Sequence, residues 1–188
     1  MTNKQHKILI LGPQGSGKGT QASILANKLG VPALSMGALL RDAATKGGVI
    51  GDEIARIQKM GALVPDEVAG EIFRARILES DATSGYIIDG YPRNEAQYDV
   101  YAALDTPTAV IVITVPHGVS VQRLHDRAMK EGRADDTVDV ITRRLQIYHN
   151  DTQPMISHFT ERGIVHDVDG VGTVEDVAAR IEALFVEV

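Results

Sequence analysis

A short apolar run, Ile8-Leu9-Ile10-Leu11, stops at a glycine-rich stretch, Gly12-Pro13-Gln14-Gly15-Ser16-Gly17-Lys18-Gly19-Thr20. Helical periodicity follows at once, in Ala22, Ile24, Leu25, Ala26 and Leu29. Strand, glycine loop and helix in that order form the context of a phosphate-binding loop. Glycine tolerates the torsion angles that turn successive N–H groups inward around phosphate oxygens. The helix start adds partial positive charge, and Lys18 adds a full charge beside the outer phosphates. The stretch from Gly12 to Thr20 therefore predicts an ATP-binding loop. One position departs from the strict signature: Gly19 follows Lys18, and the hydroxyl arrives one residue later on Thr20.

The rest of the chain alternates in the same way. Residues 7–11, 31–34, 86–89, 109–115 and 163–168 read as strands, and most are apolar enough to be buried on both faces. Helical patterns lie between them, over 20–29, 37–46, 49–60, 65–80, 95–104 and 118–130. Asp135-Asp136 is expected to cap a long helix over 137–162, which Pro154 kinks or interrupts. A closing helix is expected over 174–185. Alternation of this kind predicts an α/β fold of three layers, with a central five-stranded parallel sheet and helices on both faces. No linker or internal repeat divides the 188 residues, so a single domain is expected.

Composition excludes several functions. There is no cysteine, so neither a disulfide nor a thiolate zinc site can form. The net charge of −6 argues against a nucleic-acid partner, which needs a basic surface. No stretch approaches the roughly 20 apolar residues of a membrane span, and no secretory pattern follows the N-terminus. A cytoplasmic protein with no membrane partner is the expectation.

An anionic substrate then requires clustered cations. Arg123 and Arg127 lie four residues apart and share a helix face. Arg133 precedes the helix expected at 137, Arg144 lies within it, and Arg41 and Arg93 come from other segments. Guanidinium groups neutralise the charge that develops on a transferring phosphoryl group. Asp89 ends a buried strand just before Gly90-Tyr91-Pro92-Arg93, where a carboxylate can meet Mg²⁺ directly or through water. The six histidines show no metal spacing, and no nucleophile–base motif is present. A monophosphate acceptor needs no strong base, because its second pKa is about 6.

Taken together, these residues resemble the adenylate kinases, and more loosely all nucleoside-monophosphate kinases, over nearly the full chain. The resemblance is carried by the Gly12 to Thr20 loop with its Gly-Lys-Gly-Thr-Gln ending, and by Leu34-Ser35-Met36-Gly37 with Arg41. It is carried equally by Gly61-Ala62-Leu63-Val64-Pro65-Asp66, Asp89-Gly90-Tyr91-Pro92-Arg93 with Gln97, and Gly132-Arg133-Ala134-Asp135-Asp136. It implies Mg²⁺-dependent transfer of the ATP γ-phosphate to AMP, giving two ADP, by a monomer. Lys18, Asp89, Arg93, Arg127, Arg133 and Arg144 would form the catalytic set.

By the same resemblance, Gly15, Ser16, Gly17, Lys18, Gly19, Thr20, Arg123, Arg127 and the Gly172 carbonyl would meet ATP. Met36, Arg41, the backbone of Ala62, Leu63 and Val64, Gly90, Tyr91, Pro92, Arg93 and Gln97 would meet AMP. Arg133 and Arg144 would bridge donor and acceptor phosphates. An acceptor-binding region would span 35–64, and a short lid without zinc would span 126–136. Gln97 would read the adenine edge, since its amide offers both a donor and an acceptor.

Three residues depart from the family pattern. Met36 stands where a threonine is usual, Ala38 where an acidic residue is usual, and Ala62 where lysine is frequent. Two other readings stay open on sequence alone: a CMP or UMP acceptor, and a nucleotide-binding module without catalysis.

Overall fold

In the first strand, β1 (His6–Leu11), Ile8 and Ile10 bury on one face of a sheet while Leu9 and Leu11 bury on the other. Side chains of a strand alternate between faces, so a strand apolar at every position must be covered on both. The computed structural model, which describes residues 5–131 and 137–185, provides both covers.

The chain runs from β1 into α1 (Lys18–Leu29), then β2 (Ala33–Ser35), α2 (Met36–Thr45), α3 (Gly48–Lys59) and α4 (Asp66–Ile77). A 3₁₀ turn at Ser80–Ala82 leads to β3 (Gly85–Asp89), α5 (Glu95–Leu104), β4 (Ala109–Thr114) and α6 (His117–Glu131). After α7 (Val138–Ile147) come a π turn (Tyr148–Thr152), α8 (Gln153–Met155), α9 (Ser157–Thr160), β5 (Val165–Asp169) and α10 (Val174–Glu182). The five strands form one sheet in the order β2-β3-β1-β4-β5, all paired parallel.

On one face, Ile8, Ile10, Ile87, Ile111 and Ile113 pack against α1 and α10 through residues such as Leu25, Val177 and Ile181. On the other, Leu9, Leu11, Ile88 and Val112 pack against Phe73, Tyr101, Met155 and Phe159. Phe73 is the hub there, with ring centroids 5.7 Å from Tyr86, 5.0 Å from Tyr91 and 5.4 Å from Tyr101.

β1 sits between β3 and β4 at the switch point of the sheet: the chain leaves β1 for β2 on the β3 side, then returns from β3 past β1 to β4 on the other side. Open parallel sheets bind ligands in the crevice beyond the strand ends at such a point. Register aligns the ends that matter: Ser35 and Ile10 both pair with Asp89.

The expected elements form, with corrections at their ends. The interruption expected near Pro154 in the helix over 137–162 occurs at the π turn, where Gln153 N–H donates to Tyr148 O, with Pro154 just behind. Proline has no N–H to continue the α ladder, which is the physical reason for a break there. The N-cap is Thr137, whose hydroxyl accepts from Val140 N–H at 3.4 Å; Asp135-Asp136, expected at this helix start, lie outside the described residues. The predicted 65–80 helix ends at Ile77 and the closing helix at Glu182.

Candidate active site

A cavity of about 560 Å³ opens above the C-terminal edge of the sheet. The glycine loop forms one wall. Gly15 has φ 79°, and a Cβ there would lie 2.5 Å from the Ser120 carbonyl, so both torsion and space demand glycine. Gly19 lines the cavity too, and a Cβ there would approach Asp89 Oδ2 at 3.3 Å. That contact gives a physical reason for the glycine that departs from the strict loop signature: the loop lies tight against the end of β3.

Lys18 is half-buried and donates from Nζ to the Pro13 carbonyl at 2.8 Å. Burial pulls its pKa down to about 8, with Arg93 and Arg127 pushing the same way and Asp89 opposing them. Asp89 Oδ1 is buried and has no hydrogen-bond partner among the described residues.

The opposite wall carries Arg93. Its Nε donates to the Gly90 carbonyl at 2.6 Å, folding the side chain back over the turn that follows β3. Burial lowers its pKa, Asp89 opposes that shift, and the nearby charges of Arg144 and Arg41 reinforce it. Arg144 reaches across from α7 to the Gln58 carbonyl of α3 at 3.4 Å, and Arg41 and Arg127 line the same cavity. Among the described residues five guanidinium groups, counting Arg123, and one ammonium therefore line a single space, an arrangement suited to an anionic ligand.

A family model described as adenylate kinase matches residues 10–164. A protein from Nocardioides sp. named adenylate kinase is 44% identical over 93% of this chain and 94% of its own length. Adenylate kinases of Micrococcus luteus and Xylella fastidiosa are 42% and 40% identical, again over 93% of this chain and over 88% and 96% of theirs. The chain belongs to the adenylate kinase family.

Against the adenylate kinase pattern, Gly15, Gly17, Lys18, Gly19 and Thr20 line the main cavity, as do Arg123 and Arg127. Ser16 and Gly172 line a smaller depression beside it, which Arg123 borders as well. Arg123 is engaged with main-chain carbonyls there: Ser16 at 3.4 Å, Gly170 at 3.0 Å and Gly172 at 3.4 Å. On the acceptor side Met36, Arg41, Ala62, Leu63 and Val64 line the main cavity. Gly90, Pro92, Arg93 and Gln97 line it from the turn after β3 and from α5.

Tyr91 does not line it. Its side chain is fully buried in the aromatic cluster with Phe73 and Tyr101, so only its backbone belongs to the turn. Arg133 and the part of the expected lid at 132–136 lie outside the described residues, and 126–131 form the end of α6.

Gln97 shows a role that its spacing did not reveal. Its Oε1 accepts from Arg93 N–H at 3.0 Å, so the amide holds the arginine's main chain as well as facing the cavity. Met36 is 2% exposed and packs in the core with Leu40 and Val64 while forming part of the cavity wall. At Ala38 the helix start is capped by Ser35, whose hydroxyl accepts from Ala38 N–H at 3.4 Å, and no acidic residue occupies the first turn of α2.

Sequence reasoning missed Gln58, Tyr148 and Thr152, all in the cavity wall. No motif marks Gln58, which contributes its carbonyl to Arg144. Thr152 lies beyond the break in the predicted long helix, where periodicity gives no direction.

Proposed function

We propose that this member of the adenylate kinase family transfers the γ-phosphate of ATP reversibly to AMP, giving two ADP, as a cytoplasmic monomer. The observation that carries the reading is the shared cavity: the glycine loop with Lys18 on one side, Arg93 and Arg144 on the other. Two phosphate chains held head to head there can react in line without a covalent enzyme intermediate.

Lys18 and the loop N–H groups bind the donor phosphates. Arg93 and Arg41 bind the acceptor phosphate, and Arg127, Arg144 and Arg133 neutralise the charge that develops between the two. The second, smaller depression, bordered by Arg123 and Gly172, takes the base of ATP. Gln97 and the backbone of residues 62–64 seat the base of AMP, in an acceptor-binding region spanning 35–64. The lid at 126–136 covers the donor and excludes water, which would otherwise consume ATP.

The orphaned Asp89 Oδ1 fits a hydrated divalent cation, because Mg²⁺ prefers oxygen ligands and keeps most of its waters. Bound Mg²⁺ supplies countercharge to the phosphate oxygens. With no thiolate in the chain, no zinc site is proposed. The test is an acceptor panel at fixed ATP, with Mg²⁺ and with chelator. ADP formation from AMP, lost on chelation, is the expected result. Turnover on CMP or UMP without AMP would reassign the acceptor, and ATP binding without any transfer would refute the activity.

A further inference from the structure

Arg93 is held by its main chain from two sides. Its N–H donates to Gln97 Oε1 at 3.0 Å, and its carbonyl accepts from Thr152 Oγ1 at 2.6 Å. Gln97 belongs to the same local segment, but Thr152 comes from the π turn that follows α7, the helix of Arg144. Thr152 is 5% exposed, so water has little access to compete for the hydroxyl.

The π turn decides where that hydroxyl points. An α-helix advances about 100° per residue, so an unbroken helix would leave residue 152 roughly 80° round from Arg144. A π turn advances less per residue and brings Thr152 back toward the face of Arg144. Both residues accordingly line the same cavity.

We infer that Thr152 is a positioning residue: its hydroxyl fixes the Arg93 main chain against the helix of Arg144, so that Arg93 holds the acceptor phosphate where Arg144 can bridge it to the donor. The inference rests on the proposed reading of Arg93 as an acceptor-phosphate ligand and of Arg144 as the bridge between the two phosphates. Thr152 itself needs no contact with substrate.

Thr152→Val removes the hydroxyl at nearly constant shape, and Thr152→Ser keeps it. In T152V the KM for AMP rises on the order of three- to tenfold, the size of one neutral hydrogen bond, with the KM for ATP unchanged. T152S stays close to the unmutated protein. Equal rises in both KM values, an unchanged KM for AMP in T152V, or a T152S as impaired as T152V would each overturn the assignment. If the unmutated protein does not phosphorylate AMP, the proposed activity fails, and the tether is then read from the NMR shift of the Arg93 carbonyl carbon, the acceptor of the bond. That shift moves in T152V and returns in T152S if the tether exists; the same shift in all three proteins overturns it.

Discussion

Lys18 Nζ lies 2.8 Å from the Pro13 carbonyl, so the ammonium expected to meet ATP is bound within its own loop. Burial holds its pKa near 8 against an ordinary 10.5. Phosphate oxygens favour the charged form, so ATP binding above about pH 8 must take up a proton. Calorimetry at pH 8 in two buffers of different ionisation enthalpy should show uptake of about half a proton. ATP affinity should fall as pH rises beyond 8. The stability sign is fixed by the same shift: the unfolded chain takes the proton first, so stability declines as pH falls from 10.5 toward 8 and this group adds no further change below. Lys18→Ala should abolish the proton uptake and lower turnover by a factor on the order of 10², as for loss of a charge-stabilising donor.

Arg93 offers a test of the division between donor and acceptor. Its guanidinium sits on the turn after β3, folded onto the Gly90 carbonyl and away from the depression that holds Ser16 and Gly172. Arg93→Ala should raise the KM for AMP by a factor on the order of 10 to 100, the range for a charge-assisted hydrogen bond. ATP affinity measured without AMP should barely change. An equal loss on both sides would contradict the division.

Five parallel strands were legible because most are apolar runs bounded by glycine or turn residues and alternate with helical patterns, and the glycine loop located the first of them; their order in the sheet was not. The cation set was legible for a different reason: phosphate chemistry demands arginines, and few other uses explain so many near one loop. Two things were hidden. Tyr91 looked like part of the site because its neighbours in sequence are, yet its ring joins Phe73 in the core, and only the packing of α4 reveals that. Thr152 was hidden by the π turn, since helical periodicity carries no information across a change of pitch. Gln97 was assigned to base reading by the resemblance alone, and its bond to the Arg93 N–H is seen only in the structure.

Met36 gives a test of a departure from the family pattern. Its side chain is apolar and buried in the cavity wall, so the acceptor meets no hydroxyl at this position. Met36→Thr should lower the KM for AMP several-fold, about the worth of one neutral hydrogen bond. It should also lower the melting temperature, because the shorter side chain leaves a void among Leu40 and Val64, at a cost on the order of 1–3 kcal/mol. Steady-state kinetics and thermal unfolding of the one variant check both signs together.

Asp89 faces two demands that the variant Asp89→Asn separates. Its carboxylate supports the charge of Lys18, and its Oδ1 is buried without a partner. The amide is nearly isosteric, so the tight approach of Gly19 to Oδ2 is kept. In the presence of chelator the loss of a negative charge beside the phosphates should leave ATP affinity unchanged or raise it. With Mg²⁺ present, turnover should fall by a factor on the order of 10² because the ligand set of the cation is weakened. The Lys18 pKa should fall below its present value, moving the onset of proton uptake to lower pH, since the one group that raises it has been neutralised. A purely structural role for Asp89 would instead weaken ATP binding equally with and without Mg²⁺, which titrations under the two conditions distinguish.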